Sequence, residues 1–236
     1  MLLRFILIAA CGIAPLWATD VTGTIVIERK LTKRKVTPAA ELYQRGTTVS
    51  LAPTETDPLP WERSHVAVYL EGAPALPPSA SAILTMAQDH RRFVPDLLVI
   101  AAGSMVSFPN LDPIFHNVFS LSRPKNFDLG NYPQGQTRKV AFNTPGIVFV
   151  NCHLHANMAA SIVIAPNRWN ARVDDAGKFS LPDVAPGTYT IVAWHKTAGF
   201  FRKQIKVTES GGARVEFAIP LLAPESYPRE AAAAGH

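Results

Sequence analysis

The chain has 236 residues, of which 47% are hydrophobic and 17% are charged, a balance typical of a folded protein and not of a disordered one. Its 23 lysines and arginines exceed its 18 aspartates and glutamates, but the cations are scattered and no aromatic residues alternate with them. The composition therefore argues against nucleic-acid binding. The 20 prolines and 14 glycines often separate short β-branched runs, which predicts many turns and an all-β fold.

The first 18 residues have the pattern of a secretory signal peptide. Arg4 precedes an apolar run over residues 5–17, and Ala18 offers a small residue for cleavage before Thr19. The run is too short to cross the roughly 30 Å hydrocarbon core of a membrane comfortably. We therefore expect residues 1–18 to be removed, no stable membrane span, and a periplasmic or secreted protein. A lipoprotein signal ending at Cys11 is the alternative, although its apolar core would be very short.

Short alternating runs predict strands along the rest of the chain. Residues 21–28 and 66–70 are the first two, separated by a poorly patterned stretch, residues 30–62, that we expect to lie on the surface. After a proline-rich linker, the middle region predicts strands at residues 92–95, 97–100, 104–108, 116–121, 137–142, 147–152 and 160–164. Further strands are predicted at residues 189–194, 203–208 and 213–219, and the alanine-rich tail, residues 224–236, is expected to be disordered.

The later strands carry a recognisable set of turns: an Asp-rich turn, Gly177-x-Phe179 and Pro186-Gly187-x-Tyr189. This order resembles the carboxypeptidase regulatory-like, transthyretin-like domains, which usually begin with two strands such as 21–28 and 66–70. The resemblance implies one discontinuous β-sandwich, residues 19–78 plus 166–223, interrupted by a second domain at residues 79–165. The alternative is three consecutive units, with the N-terminal strands adding to the middle one.

The middle region carries its own ordered motifs: Phe93-x-Pro95, Gly103, Val106-x-Phe108-x-Asn110-x-Asp112, His116-Asn117-Val118, Pro145-Gly146 and Cys152-x-x-His155-x-x-Met158. These resemble the cupredoxins, and the short last motif is similar to that of amicyanin. Plastocyanin-like proteins of methylamine utilisation match better, since they add Phe127-Asp128-Leu129-Gly130 and a late Trp-His pair, here Trp194-His195. The resemblance implies a cupredoxin Greek-key β-sandwich inserted in, or fused to, the small transthyretin-like β-sandwich.

One copper ion, cycling between Cu(I) and Cu(II), is the cofactor that this resemblance implies. A blue-copper site needs one thiolate and two imidazoles in a plane, with a weak axial thioether. Cys152, His116 and His155 would supply the first three and Met158 the fourth. Asn117, next to a ligand, is expected to hydrogen-bond to the Cys152 loop, or else to be only a turn residue.

Other interpretations of the same residues stay open. Zinc prefers four ligands from cysteine and histidine, and His153 would have to complete that set, although an extended segment should point it away from Cys152. A buried structural Cys152 among ordinary histidines is a further alternative. We interpret His195 as a strand histidine at the domain boundary and not as a second metal site. Met86 and His90 are interpreted as exposed residues and not as a second copper site.

The leading functional hypothesis is one-electron transfer between redox partners, such as a cytochrome and a dehydrogenase. Copper storage or delivery is the second hypothesis, and a surface binding module with a vestigial copper site is the third. We expect no enzymatic activity, because no Ser-His-Asp order, paired carboxylates or phosphate loop stands out.

The signal peptide gives a first testable expectation. The exported protein should begin near Thr19 and carry no lipid, because the apolar run ends at Ala18. The intact mass of the exported protein measures this directly. Retention of residues 1–18, or a diacyl group on Cys11, would contradict the expectation.

Overall fold

The computed structural model describes residues 18–32, 58–74, 83–209 and 211–219. In this part of the chain it contains seventeen strands and one short helix, so the predicted all-β fold class is confirmed. The predicted signal peptide, apart from Ala18, and the predicted disordered tail lie outside the described residues. Among the described residues, no helix is long and apolar enough to cross a membrane.

The elements follow one another with short connections in most of the described chain. They are β1 (Thr19–Val26), α1 (Leu59–Ser64), β2 (Val66–Glu71), β3 (Leu84–Thr85), β4 (Ala87–Asp89), β5 (Arg92–Val94), β6 (Leu97–Ala101), β7 (Ser104–Pro109), β8 (His116–Ser122), β9 (Lys125–Tyr132), β10 (Thr137–Phe142), β11 (Gly146–Asn151), β12 (Ala159–Ala165), β13 (Asn170–Arg172), β14 (Lys178–Val184), β15 (Gly187–His195), β16 (Gly199–Val207) and β17 (Arg214–Ala218).

Strands from the two ends of the chain share sheets. β1 lies between β14 and β17, and β2 lies between β13 and β15, with β16 next to β15. The expected pairing of residues 66–70 with strands after Gly177 is therefore confirmed, since β2 pairs with β15 antiparallel from Val66 to Glu71. We call these seven strands the outer sandwich. The residue limits predicted for its two segments stay a prediction.

The core of the outer sandwich follows from the alternation of apolar and polar residues along its strands. Val21 and Ile25 of β1 are buried on one side, and Val68 of β2 and Ile191 of β15 belong to the same cluster of packed side chains. Residues from both sheets thus form one apolar core, which holds the N-terminal and C-terminal segments together.

The strands between these segments form a second sandwich, which we call the middle sandwich. One sheet has the order β6-β12-β11-β8-β9, the other has the order β10-β7-β3, and β4 and β5 form a hairpin. Buried side chains from both sheets make one cluster, which includes Val106, Phe108, Phe142, Val118, Val150 and Ile162. The sequence predicted most of these strands but missed the two short strands β3 and β4 and the longer β9. In β9 almost all residues remain partly or fully exposed.

The two sandwiches contact each other through an apolar layer. Along β15, Ile191 and Ala193 face the core of the outer sandwich, whereas Val192 and Trp194 face the other way. Trp194 packs in one cluster with Leu97 and other side chains of the middle sandwich. The strand is therefore buried on both faces, one in the core of the outer sandwich and the other in the layer between the sandwiches, as its near-continuous apolar sequence indicates.

Part of the stretch expected to lie on the surface is instead buried. Glu62, in α1, is 0% exposed. Its Oε1 accepts the N–H groups of Leu31 and Thr32 at 2.9 and 2.7 Å, and its Oε2 accepts the Thr32 hydroxyl at 3.1 Å. Its Oε2 also lies 3.1 Å from Nε2 of His195. The Glu62 carboxylate accepts hydrogen bonds from four donors and so connects α1, residues 31–32 and β15. The apolar periodicity of the sequence does not predict such a contact.

His195 has a defined protonation pattern. Its Nδ1 accepts the N–H groups of Thr197 and Ala198, so Nε2 carries the hydrogen and donates to Glu62. Burial lowers the pKa of His195, and the nearby Glu62 opposes that effect only in part. A second proton, on Nδ1, would break both accepted hydrogen bonds, which also favours the neutral imidazole. His195 is thus a packed strand histidine, as interpreted from the sequence.

Replacing Glu62 by alanine should destabilise the protein strongly. Glu62→Ala leaves four donors without their acceptor, two of them buried at Leu31 and His195, and each buried donor left unsatisfied costs about 1–3 kcal/mol in the free energy of unfolding. Urea denaturation of the mature chain measures the loss. The matched control is Glu71→Ala, which removes an exposed ion pair with Arg202 and should cost less than about 1 kcal/mol. Equal losses from both variants would contradict the assigned role of Glu62.

Candidate metal centre

Three of the predicted ligands meet at one end of the middle sandwich. The ligand atoms of His116, Cys152 and His155 all lie within 4.8 Å of one another. Sγ of Cys152 is 4.0 Å from Nδ1 of His116 and 3.7 Å from Nδ1 of His155. His116 and Cys152 are buried, and His155 is partly exposed. The site is therefore shielded from solvent at His116 and Cys152 and accessible to solvent at the imidazole of His155.

The sheet explains why residues so far apart in sequence meet. His116 is the first residue of β8, and Cys152 directly follows β11. β8 and β11 are neighbours in the larger sheet, with Asn151 opposite Phe119. His155 lies in the loop that connects β11 to β12. That loop is closed by backbone hydrogen bonds from Cys152 N–H to the Met158 carbonyl at 3.3 Å and from Met158 N–H to the His155 carbonyl at 2.9 Å.

Met158 occupies the end of this ligand loop. Its side chain is 2% exposed and belongs to the same packed cluster as Cys152. The loop closure brings its backbone opposite that of Cys152. Its assignment as the axial ligand stays a prediction.

The spacing of the three donors fits a single metal ion. Bonds of about 2.3 Å to sulfur and about 2.0 Å to nitrogen, arranged trigonally, place sulfur and nitrogen about 3.7 Å apart. The two measured sulfur–nitrogen distances are 4.0 and 3.7 Å. The donor types also fit copper, since one thiolate and two imidazoles are the equatorial set of blue-copper sites.

A carboxylate that the sequence did not assign fixes the orientation of His116. Nε2 of His116 donates to Oδ2 of Asp112 at 2.7 Å, so Nδ1 is left unprotonated toward Cys152. Asp112 also accepts the N–H groups of His90 and Arg91 at 2.7 and 2.8 Å. Burial alone would raise the pKa of Asp112, but the hydrogen bonds from Arg91, His116 and His90 lower it. Asp112 ends the motif Val106-x-Phe108-x-Asn110-x-Asp112 and lies four residues before His116, but the sequence analysis gave it no role.

Asn117 makes the hydrogen bonds that were expected of it. Its N–H donates to Sγ of Cys152 at 3.4 Å, and its Oδ1 accepts the N–H of His153 at 3.4 Å. Its Nδ2 donates to Oδ1 of Asp128 at 2.6 Å. The backbone N–H of Gly130 and the Asn117 amide lower the pKa of Asp128. Asn117 therefore joins the two ligand segments through both its backbone and its side chain.

His153 points away from the cluster, as the extended segment predicted. Its ring stacks on that of Phe119, with centroids 3.6 Å apart and planes 6° apart. Its side chain is 55% exposed, and its Nε2 lies 3.5 Å from Asp128. His153 is not one of the grouped donors.

His155 has the electrostatic surroundings of a neutral imidazole. Burial lowers its pKa first, and the electrostatic influence of His116 and of Arg91 lowers it further, against the opposing charge of Asp112. A neutral imidazole is the form that binds a metal ion. These surroundings therefore favour the neutral, metal-binding form of His155 even before a metal ion binds.

The other candidate residues are not at this site. Met86 is 0% exposed in the core, so its interpretation as an exposed residue is wrong: it packs between the strands of the middle sandwich. The side chain of His90 is 89% exposed and pairs with Asp89. Over the described ranges, His116, Cys152 and His155 form the one group of at least three His, Cys, Asp or Glu donors spaced for a metal ion.

Large exposed apolar side chains lie close in sequence to the predicted ligands. Leu111, Ile114 and Phe115 are within the five residues before His116, and Leu154 lies between Cys152 and His155. All four are exposed, Phe115 at 57% and Leu111 at 52%. Several exposed apolar side chains near one another are typical of an interaction surface.

Comparison with known proteins gives partial matches. The family described as "Polysaccharide lyase family 4, domain II" matches residues 167–215, in the outer sandwich. No curated protein matches the chain. Nothing in these comparisons supports the transthyretin-like resemblance of the outer sandwich.

Solved structures that match part of this chain include copper proteins. Amicyanin from Paracoccus versutus is 18% identical, with a TM-score of 0.33, over 36% of this chain and 84% of that chain. A reduced mutant of amicyanin is 17% identical, with a TM-score of 0.34, over 36% of this chain and 85% of that chain. A copper-containing nitrite reductase from Thermus scotoductus is 25% identical, with a TM-score of 0.34, over 40% of this chain but only 24% of that chain. Likenesses this weak leave the function to be inferred from the site itself.

Removing the Asp112 carboxylate should weaken metal binding. Asp112→Asn takes away the charged acceptor that orients His116, and losing such a partner typically lowers metal affinity about 10- to 100-fold. Competition with a chromophoric Cu(I) chelator measures the affinity. Asp89→Asn is the matched control, since it removes the same charge from the neighbouring β4–β5 hairpin, and Asp89 does not contact His116. An equal loss in both variants would show that net charge, and not orientation, is responsible.

Proposed function

We propose that this protein is a periplasmic or secreted blue-copper protein that carries single electrons between redox partners and catalyses no reaction of its own. The observation that carries the proposal is the group His116, Cys152 and His155, whose ligand atoms lie within 4.8 Å of one another. The thiolate and imidazoles fit copper better than zinc, whose structural sites use four cysteine or histidine ligands. His153, which would have to complete a zinc set, points away.

Copper held by these residues would supply a reversible one-electron couple. His116 and His155 would bind it through Nδ1 and Cys152 through Sγ, with Met158 as the proposed axial ligand. The N–H of Asn117 donates to Sγ of Cys152 and would disperse part of the thiolate charge. Asp112 holds His116 in one tautomer. The chain thus fixes the donors before an ion arrives.

Fixed donors favour electron transfer because a site that moves little between two oxidation states has a low barrier to changing between them. Here each ligand segment is held by hydrogen bonds outside the donor set, through Asp112, Asn117 and the closed loop 152–158. Burial of His116 and Cys152 excludes water from the protein side of the site. These properties support a carrier more than a store from which copper must leave.

The partly exposed His155 is the proposed place for partners to approach. The apolar side chains of Leu111, Ile114, Phe115 and Leu154 lie beside the ligand segments and are exposed. A surface of this kind allows a brief contact with a cytochrome or a dehydrogenase, which are the proposed partners.

Copper loading tests the proposal. One Cu(II) per mature chain should give an intense visible band, which Cys152→Ser should abolish because the thiolate is its source. His116→Ala and His155→Ala should weaken binding. Met158→Leu should keep the copper and shift the reduction potential, because the axial bond is weak. His153→Ala is the control and should leave both the band and the metal content unchanged.

Redox cycling separates a carrier from a store. The protein should pass repeatedly between oxidised and reduced forms at constant metal content, followed by the visible band and by metal analysis. Copper loss on each reduction would favour delivery. The proposed site would be contradicted if the protein bound one zinc ion tightly and gave no visible band after loading with Cu(II). Equal effects of His153→Ala and Met158→Leu would complete that contradiction.

A further inference from the structure

The turn between β4 and β5 has an unusual backbone. Asp89 and Arg92 are partners in the antiparallel pair, so His90 and Arg91 form a two-residue turn. Their φ angles are 51° and 53°, in the left-handed region. Two-residue hairpin turns of this conformation usually contain asparagine or glycine, because larger side chains are strained there. Such strain persists only where the surroundings hold it, and it often marks a functional position.

The metal centre holds this turn in place. Oδ1 of Asp112 accepts the N–H of His90 at 2.7 Å, and Oδ2 accepts the N–H of Arg91 at 2.8 Å. The same Oδ2 accepts Nε2 of His116 at 2.7 Å. One carboxylate therefore attaches the turn to a proposed metal ligand and sets Arg91 at the edge of the site.

Arg91 lines a cavity of about 510 Å³ beside the metal centre. The other lining residues are His90, Asp112, Pro113 and Ile114. Both oxygens of Asp112 are already occupied by donors, and His90 pairs with Asp89. The Arg91 guanidinium has no hydrogen-bond or ion-pair partner within the described part of the chain. A planar group with five N–H donors next to such a cavity is suited to a carboxylate.

We propose that Arg91 recognises a surface carboxylate of an acidic redox protein that docks over His155. The proposal rests on the proposed function, since it places that partner at the metal centre. A protein is a better occupant than a free organic acid because Leu111 and Phe115, next in sequence to the cavity-lining Asp112 and Ile114, are exposed apolar residues. Apolar side chains with one arginine among them are the usual composition of a protein interface, and a small acid would leave these side chains uncovered.

Binding to a matched pair of cytochromes tests the proposal. The probes are a basic c-type cytochrome and the same cytochrome with its lysines succinylated, both reduced. The isotope-labelled mature protein is prepared in two forms, one metal-free and one loaded with Cu(I). Each form is titrated with each cytochrome while its backbone amide resonances are followed. The succinylated form should shift the signals of residues 90–92 and 111–115 and bind at least about fivefold more tightly at low salt, with the difference shrinking as salt is added.

Two arginine variants locate the effect. Arg91→Gln should weaken binding of the succinylated cytochrome about fivefold, since it removes a charge and a two-pronged donor from the contact. Arg123 is an exposed arginine that directly follows β8, at the end of the strand opposite His116. Arg123→Gln removes an equal charge there and should change the affinity less than about twofold. Unchanged resonances elsewhere show that both variants keep the fold.

Three results would overturn the proposal. They are equal binding of the two cytochromes, equal losses from Arg91→Gln and Arg123→Gln, and shifts confined to another surface. Citrate that binds the turn more tightly than the succinylated cytochrome and displaces it would also overturn it, in favour of a small acid. The metal-free titration keeps the tests separate, because missing copper binding would contradict the electron-carrier function without changing which side chain recognises the anion.

Discussion

The hydrogen bond between Asp112 and His116, 2.7 Å long, is the contact on which the arrangement of this site depends. An imidazole offers two nitrogens, and only the one without a hydrogen binds a metal ion. Because the carboxylate only accepts, it assigns the hydrogen to Nε2 and directs the free Nδ1 toward Cys152. The same carboxylate accepts the backbone N–H groups of the strained turn at residues 90–91. One side chain therefore positions His116, the cavity beside it and Arg91.

The sequence was sufficient to select His116, Cys152 and His155 as candidate ligands, because their order in the chain resembles that of the cupredoxins, and the fold brings the three side chains together. Met158, the fourth candidate, stays a prediction. Strand alternation was also sufficient to direct His153 outward, where it stacks on Phe119. The pairing of β2 with β15 followed from the order of turn motifs on either side of the middle region.

The contacts that sequence patterns missed are those made by polar side chains with backbone groups. Asp112 accepts two N–H groups from a turn about twenty residues earlier, and Glu62 accepts two from a loop about thirty residues earlier. Neither acceptor belongs to an apolar repeat, and a carboxylate in a polar stretch has the same appearance whether it is exposed or buried. Only the packed chain shows which backbone donors lack another partner.

The path of the chain through the outer sheet has a thermodynamic consequence. Tyr69 in β2 and Asn170 in β13 are direct partners in an antiparallel pair, so the whole middle sandwich takes the place of a hairpin turn. Joining these strands through an unstructured loop of about a hundred residues costs about 3 kcal/mol more in closure entropy than joining them through a tight turn. A folded middle sandwich is far more compact than an unstructured loop of the same length and therefore lowers that cost. The two sandwiches are therefore expected to fold cooperatively, although each has a core of its own.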